Sequence, residues 1–160
     1  MSRPRDNSRE GGMLAVGLSE HDSIEELKPF QGQLCIAAVN SPTSVTVSGD
    51  LDAVKVLQTS LSERGIFNRI LQVRQAFHSH HMLPLAPSYE SALDHTLPFQ
   101  TTDGIIRMYS SVTSRIAVPE EMGPRYRAQN MVLPVRFADA LTGILLDEDE
   151  KQIVDVLVEM

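Results

Sequence analysis

"QLCIAAVNSPTSVTVSGD", residues 33–50, reads as two β-strands joined by a tight turn. Residues 33–40 form an apolar run that suits a buried strand. "SPT" at 41–43 is turn chemistry, and "SVTVSG" at 44–49 carries β-branched residues at the period of two that a pleated strand imposes. Before this hairpin, "MLAVGL" (13–18) is a short apolar run flanked by Gly12 and Gly17, a further strand. Ser19 then stands as the cap of a short acidic helix that Pro29 ends. After the hairpin, Asp50 can cap a helix in which Leu51, Val54, Leu57 or Gln58, and Leu61 follow the 3.6-residue period. Gly65 suits the left-handed residue that closes it. "IFNRILQVR" (66–74) is a fourth strand, with Phe67, Leu71 and Val73 on one face. The order is β-α-β-β-α-β, the split βαβ or ferredoxin-like unit, and the fold class is α+β. We assign it to residues 11–75. Residues 1–10 are polar and aperiodic and are expected to be disordered or misassigned.

The remainder, 76–160, is different in kind. A helix is expected from near Pro87, with Met82, Leu85, Tyr89 and Leu93 at helical spacing, and a strand over 104–112. Residues 116–133 read as loop with one helical turn, and 134–146 as an amphipathic helix with Pro134 in its first turn. After the charged "DEDEK" comes an apolar strand, 152–160. Two such strands make too small a sheet to cover themselves, so this part reads as a piece of a larger α/β domain.

The totals narrow the function. Of 160 residues, 42% are hydrophobic and 22% charged, ordinary for a soluble globular chain. A net charge of −7, with acidic residues interspersed among the arginines, argues against nucleic acid as a partner. Cys35 is the only cysteine, so an internal disulfide is impossible, which fits a reducing compartment. No apolar run approaches the roughly 20 residues that span a bilayer. The opening residues lack a signal peptide's apolar core, and a cytoplasmic location is expected.

Three of the five histidines, His78, His80 and His81, fall within "VRQAFHSHHM" (73–82). Zinc wants three or four converging ligands, and no H-E-x-x-H or paired-cysteine spacing completes a set, so no metal is expected. A nucleophile–base pair fails as a self-contained site, because Ser79 is adjacent to His78 and no G-x-S-x-G elbow occurs. Two readings stay open: a base serving a nucleophile outside this sequence, or imidazoles capping a turn that opens a helix.

"AVNSPTSVTVSGD" (38–50), "LQVRQAFHSHHM" (71–82) and "QNMVLPVRFADAL" (129–141) together resemble the acyltransferase domain of type I polyketide synthases. The nearer likeness is to the malonyl-CoA:acyl carrier protein transacylase domains of iterative, fungal-type synthases, and it is collinear from about residue 11 to 160. The resemblance implies a ferredoxin-like subdomain inserted in an α/β-hydrolase-like subdomain, of which 76–160 would be the C-terminal part. It implies a serine that takes malonyl from malonyl-CoA and passes it to the phosphopantetheine thiol of an acyl carrier protein, with no bound cofactor. By position His78 would be the general base, oriented by the main-chain carbonyl of Asn130. Phe77 would favour malonyl over methylmalonyl, and Gln75 departs from the histidine usual there. His80 and His81 become entrance or surface residues without a role. The family's serine elbow precedes the matched segment, so this chain is expected to lack the N-terminal half of the domain and to be inactive alone. The competing expectation is a non-catalytic ferredoxin-like module that docks a carrier protein.

Overall fold

The computed structural model describes residues 10–96 and 108–146. The strand expected over 152–160, the charged turn before it, residues 1–9 and the first part of the strand expected at 104–112 lie outside the described residues. Along the chain come β1 (Gly11–Val16), α1 (Glu20–Leu27), β2 (Leu34–Ser41), β3 (Ser44–Asp50), α2 (Leu51–Glu63) and β4 (Asn68–Ile70). The four strands form one antiparallel sheet in the order β2-β3-β1-β4. Local chemistry sets the boundaries. Ser19 Oγ accepts from the Asp22 amide at 3.1 Å to open α1. Gly65, at φ +69°, closes α2 in the left-handed conformation that its missing Cβ makes cheap.

One face of the sheet is the core. Leu14, Val16, Leu34, Ile36, Val45 and Val47 pack against Ala53, Val54, Leu57 and Leu61 of α2, with Leu27 and Phe30 at the margin. The helical stripe therefore uses Leu57 and not Gln58. β4 is a correction to the expected strand over 66–74. It is three residues long, and Phe67 is 67% exposed. The phase is set by pairing: Ile70 lies opposite Leu14, and direct antiparallel partners share a face, so Ile66 and Ile70 turn inward and Phe67 outward.

The opposite face is also covered. Thr46 and Ser48 of β3 are buried there, and Cys35 of β2, paired with Ser48, donates its thiol to the carbonyl of His78 at 3.3 Å. The segment after β4 thus lies against this face. β2, an edge strand, is met by residue 135: the Val39 amide donates to Val135 O and the Val135 amide to Ala37 O, both at 2.8 Å. This satisfies an edge that would otherwise be open. It also corrects the expected helix over 134–146. The helix here, α5, runs Phe137–Leu145, because residues 133–135 are extended beside β2.

The other elements of this part are α3 (Ala86–Thr96), a short antiparallel pair β5 (Tyr109–Ser110) and β6 (Arg115–Ile116), and α4 (Pro124–Val132). The last is more helix than the single turn expected over 116–133. Pro124 occupies its first turn, where a missing N–H costs nothing. Arg136 joins the two parts of the chain, its guanidinium bound to Glu20 at the start of α1 and to Asp139 of α5 at 2.6 Å. These carboxylates hold the guanidinium's pKa above its usual value, with Glu20 the larger contributor.

Candidate active site

His78 sits where the 76–82 turn crosses between the sheet and the end of α4. Its backbone is left-handed, at φ +56°. A non-glycine residue persists there only when its surroundings hold it, and three contacts do so. Its amide donates to Met131 O at 3.2 Å. Its carbonyl accepts from the Cys35 thiol. Its ring Nδ1 lies 2.9 Å from Leu133 O.

The last turn of α4 explains two of these. The final carbonyls of a helix have no intrahelical partner. Met131 O is one, and His78 takes it. Leu133 follows the helix in extended backbone (φ −79°, ψ 155°), which the next residue, Pro134, enforces by clashing with a helical conformation. Its carbonyl is thereby turned away from the helix axis and toward the imidazole.

A carbonyl oxygen can only accept, so Nδ1 carries a proton, and in the neutral ring Nε2 keeps its lone pair. Among the described residues Nε2 meets no hydrogen-bond partner. Such an imidazole can take a proton from a hydroxyl or thiol brought to Nε2. The orienting carbonyl belongs to Leu133, which corrects the expectation of Asn130. That residue lies one turn earlier on α4, where it lines a cavity of about 240 Å³ with Tyr89, Tyr126, Arg127 and Met131. Sequence position alone could not separate two carbonyls three residues apart. The signal that separates them is Pro134.

The turn is anchored on both sides of His78. Ala76 is fully buried against Gly11, where an added Cβ would fall 2.6 Å from the Ala76 nitrogen. Ser79, also buried, donates from Oγ to Ala76 O at 2.6 Å and accepts from the His81 amide at 3.2 Å. Phe77 and Gln75 face outward, Phe77 at 40% exposure.

His80 and His81 are not idle. Both Nε2 atoms converge on Oδ1 of Asp50, at 3.2 and 2.8 Å, and Asp50 is only 5% exposed. The three side chains offer ligand atoms within 4.8 Å of one another. No spacing in the sequence links residue 50 to residues 80 and 81: both histidines were expected as entrance or surface residues without a role, and the structure gives them a shared partner in Asp50 while His80 stays exposed.

The family model described as the acyl transferase domain matches residues 4–158. A hybrid PKS-NRPS synthetase of Aspergillus niger, pynA, is 57% identical over 151 residues, which is 94% of this chain and 4% of that protein. A second, pyvA of Aspergillus violaceofuscus, is 49% identical over 166 residues, again 4% of its length. The chain thus spans a small fraction of these relatives. Among solved structures, the acyltransferase domain from module 8 of the salinomycin polyketide synthase superposes with a TM-score of 0.78 at 28% identity, over 85% of this chain and 31% of that one. A loading acyltransferase from the avermectin polyketide synthase gives 0.75, also at 28% identity, over 81% of this chain and 41% of that one.

Proposed function

The chain belongs to the acyl transferase domain family, and from that membership we propose that it supplies the general base of a malonyl transfer in a polyketide synthase. One observation carries the reading: His78 Nδ1 lies 2.9 Å from the Leu133 carbonyl, which leaves Nε2 as the nitrogen that can take a proton when the ring is neutral. In the proposed reaction Nε2 takes the proton of a serine hydroxyl as that oxygen attacks the thioester carbonyl of malonyl-CoA. The imidazolium then returns the proton to the departing coenzyme A thiolate. The second half runs the same steps with the phosphopantetheine thiol of an acyl carrier protein, whose proton passes to Nε2 as it attacks the acyl-serine. The serine comes from a part of the domain outside this sequence, so this chain alone is inactive.

In this reading residues 11–75 are the ferredoxin-like subdomain, and residues 76–160 belong to the α/β-hydrolase-like subdomain. Cytoplasmic location follows from the same assignment. Phe77, next to the base, is the residue that disfavours an α-methyl group on the substrate. Gln75 stands at the outer side of the same turn.

The test is acyl-enzyme formation from radiolabelled malonyl-CoA in an acyltransferase domain that contains this chain and the serine-bearing segment. His78→Ala should abolish labelling while leaving the melt cooperative. Persistent labelling would remove His78 as the base, and no labelling even with His78 intact would favour the carrier-docking alternative.

A further inference from the structure

We propose that Asp50 is a positioning residue for the His78 base: by gripping His80 and His81 it presses the 76–82 turn onto the sheet and keeps the His78 imidazole on the Leu133 carbonyl. The inference rests on the reading of His78 as the base.

Asp50 stands at the N-terminus of α2, where an aspartate ordinarily accepts a hydrogen bond from a free amide of the first helical turn. It makes no such bond here. Its carboxylate turns instead to two imidazoles from a segment thirty residues away. A carboxylate that is 95% buried needs donors, and the paired Nε2–H groups supply them.

The connection from Asp50 to His78 is short and continuous. Asp50 Oδ1 holds His81, the His81 amide donates to Ser79 Oγ, and Ser79 Oγ donates to Ala76 O. One serine hydroxyl thus ties the chain before His78 to the chain after it. The same corner closes from below. Asp50 is paired with Gly11 in the β1–β3 ladder, and Gly11 is the residue on which Ala76 packs. His78 lies inside this loop of contacts in a left-handed backbone that relaxes to other conformations if the loop slackens. The imidazoles carry opposite tautomers accordingly: proton on Nδ1 for His78, which faces a carbonyl, and on Nε2 for His80 and His81 when neutral, which face a carboxylate.

The experiment compares Asp50→Ala, Asp50→Asn, His81→Leu and His81→Gln in the acyltransferase domain that contains this chain, with His78→Ala beside them. Asp50→Ala and His81→Leu should lower kcat by ~10- to 100-fold, the scale of a misplaced catalytic group, with KM for malonyl-CoA unchanged. Asp50→Asn keeps an acceptor oxygen and His81→Gln keeps an N–H donor, and each should recover most of the rate. The Nδ1–H resonance of His78 in nitrogen-15 spectra should broaden or shift in Asp50→Ala and His81→Leu, a change that a merely structural role would not produce. If Asp50→Ala fails to fold, His81→Leu carries the test. Wild-type kcat and an unmoved His78 resonance in a folded variant would overturn the proposal. So would zinc binding at these three residues with activity lost to a chelator, because the cluster would then act as a metal site. If His78→Ala remains active while Asp50→Ala still shifts the His78 resonance, the base reading fails and the positioning contact stands.

Discussion

The Nδ1 atom of His78 lies 2.9 Å from the carbonyl oxygen of Leu133, and the proline that follows Leu133 is what makes that oxygen available. A proline ring bars the preceding residue from helical backbone and cannot donate to the helix itself. The carbonyl therefore leaves α4 and meets the imidazole, and one ring nitrogen is committed so that the other is basic. The contact between His78 and Leu133 is thus a consequence of helix termination.

Replacing Pro134 tests that consequence. Pro134→Ala allows Leu133 to return to helical backbone, and the carbonyl would swing back toward α4. In an intact acyltransferase domain kcat should fall by roughly 10-fold or more, the cost of losing catalytic-group orientation. The melting temperature should change little, because the turn is exposed. Unchanged kcat would mean that the extended conformation at Leu133 is held by the Val135 pairing with β2 alone.

Two glycines make a contrasting pair. Gly65 is left-handed with open space around it, so Gly65→Ala costs only the backbone term, about 1 kcal/mol, and leaves kcat unaltered. Gly11 has ordinary backbone, but a Cβ there collides with the main chain of Ala76, two residues before His78. Gly11→Ala should displace the turn and lower kcat. Urea melts and steady-state rates on both variants separate the two effects. Equal losses of stability with no difference in rate would show that the turn moves without consequence for the base.

The hairpin, the capped start of α1, the apolar stripe of α2 and the closing glycine were legible in the sequence because each depends on neighbours a few residues apart: Ser19 with Asp22, Val54 with Leu57 and Leu61, Gly65 with the end of α2. The strand over 66–74 was misread because both of its faces are apolar, and only the pairing of Ile70 with Leu14 fixes the phase. The part after residue 75 was harder still. Val135 is extended because an edge strand takes its backbone, and no local pattern announces that. Asp50 shows the limit most clearly. The sequence offered it a plausible local task as a helix cap, and a contact thirty residues distant took the same carboxylate for another. His78 stood out only through its motif, and Leu133 was not legible as its neighbour, because a loop over 116–133 has no helix end at which proline could turn that carbonyl outward.

Cys35 gives a prediction at alkaline pH. Burial pushes its thiol pKa above the ordinary value, and its S–H donates to the carbonyls of Ser48 and His78. The folded chain should therefore react with iodoacetamide at pH 8 at least ~10-fold more slowly than the chain in urea, since the thiolate is the nucleophile. The linked stability has a definite sign. The folded pKa is raised, so the unfolded thiol ionises first as pH increases. The stabilisation is complete below the unfolded value, about 8.5, and declines above it until the folded thiol also ionises. Cys35→Ser should remove that alkaline decline. Alkylation at the unfolded rate would mean that the thiol is not held against the His78 carbonyl.

Phe77 gives the prediction closest to substrate choice. Phe77 is 40% exposed and immediately precedes His78, and on the proposed reading its ring lies toward the acyl group of a substrate attacked at Nε2. An aromatic ring there crowds an α-methyl substituent and leaves malonyl room. Phe77→Ser opens that space, so the ratio of kcat/KM for malonyl-CoA over methylmalonyl-CoA should fall by roughly 10-fold, within the 1–3 kcal/mol that a methyl-sized contact supplies. The change should appear mainly as a gain on methylmalonyl-CoA, because the base and its carbonyl partner are untouched. Gln75→His leaves the ring in place and should preserve the ratio. The comparison is competitive acyl-enzyme loading from an equimolar mixture of the two thioesters, read by intact-protein mass. If Phe77→Ser lowers loading from both equally, the ring supports the turn mechanically and does not choose between substrates.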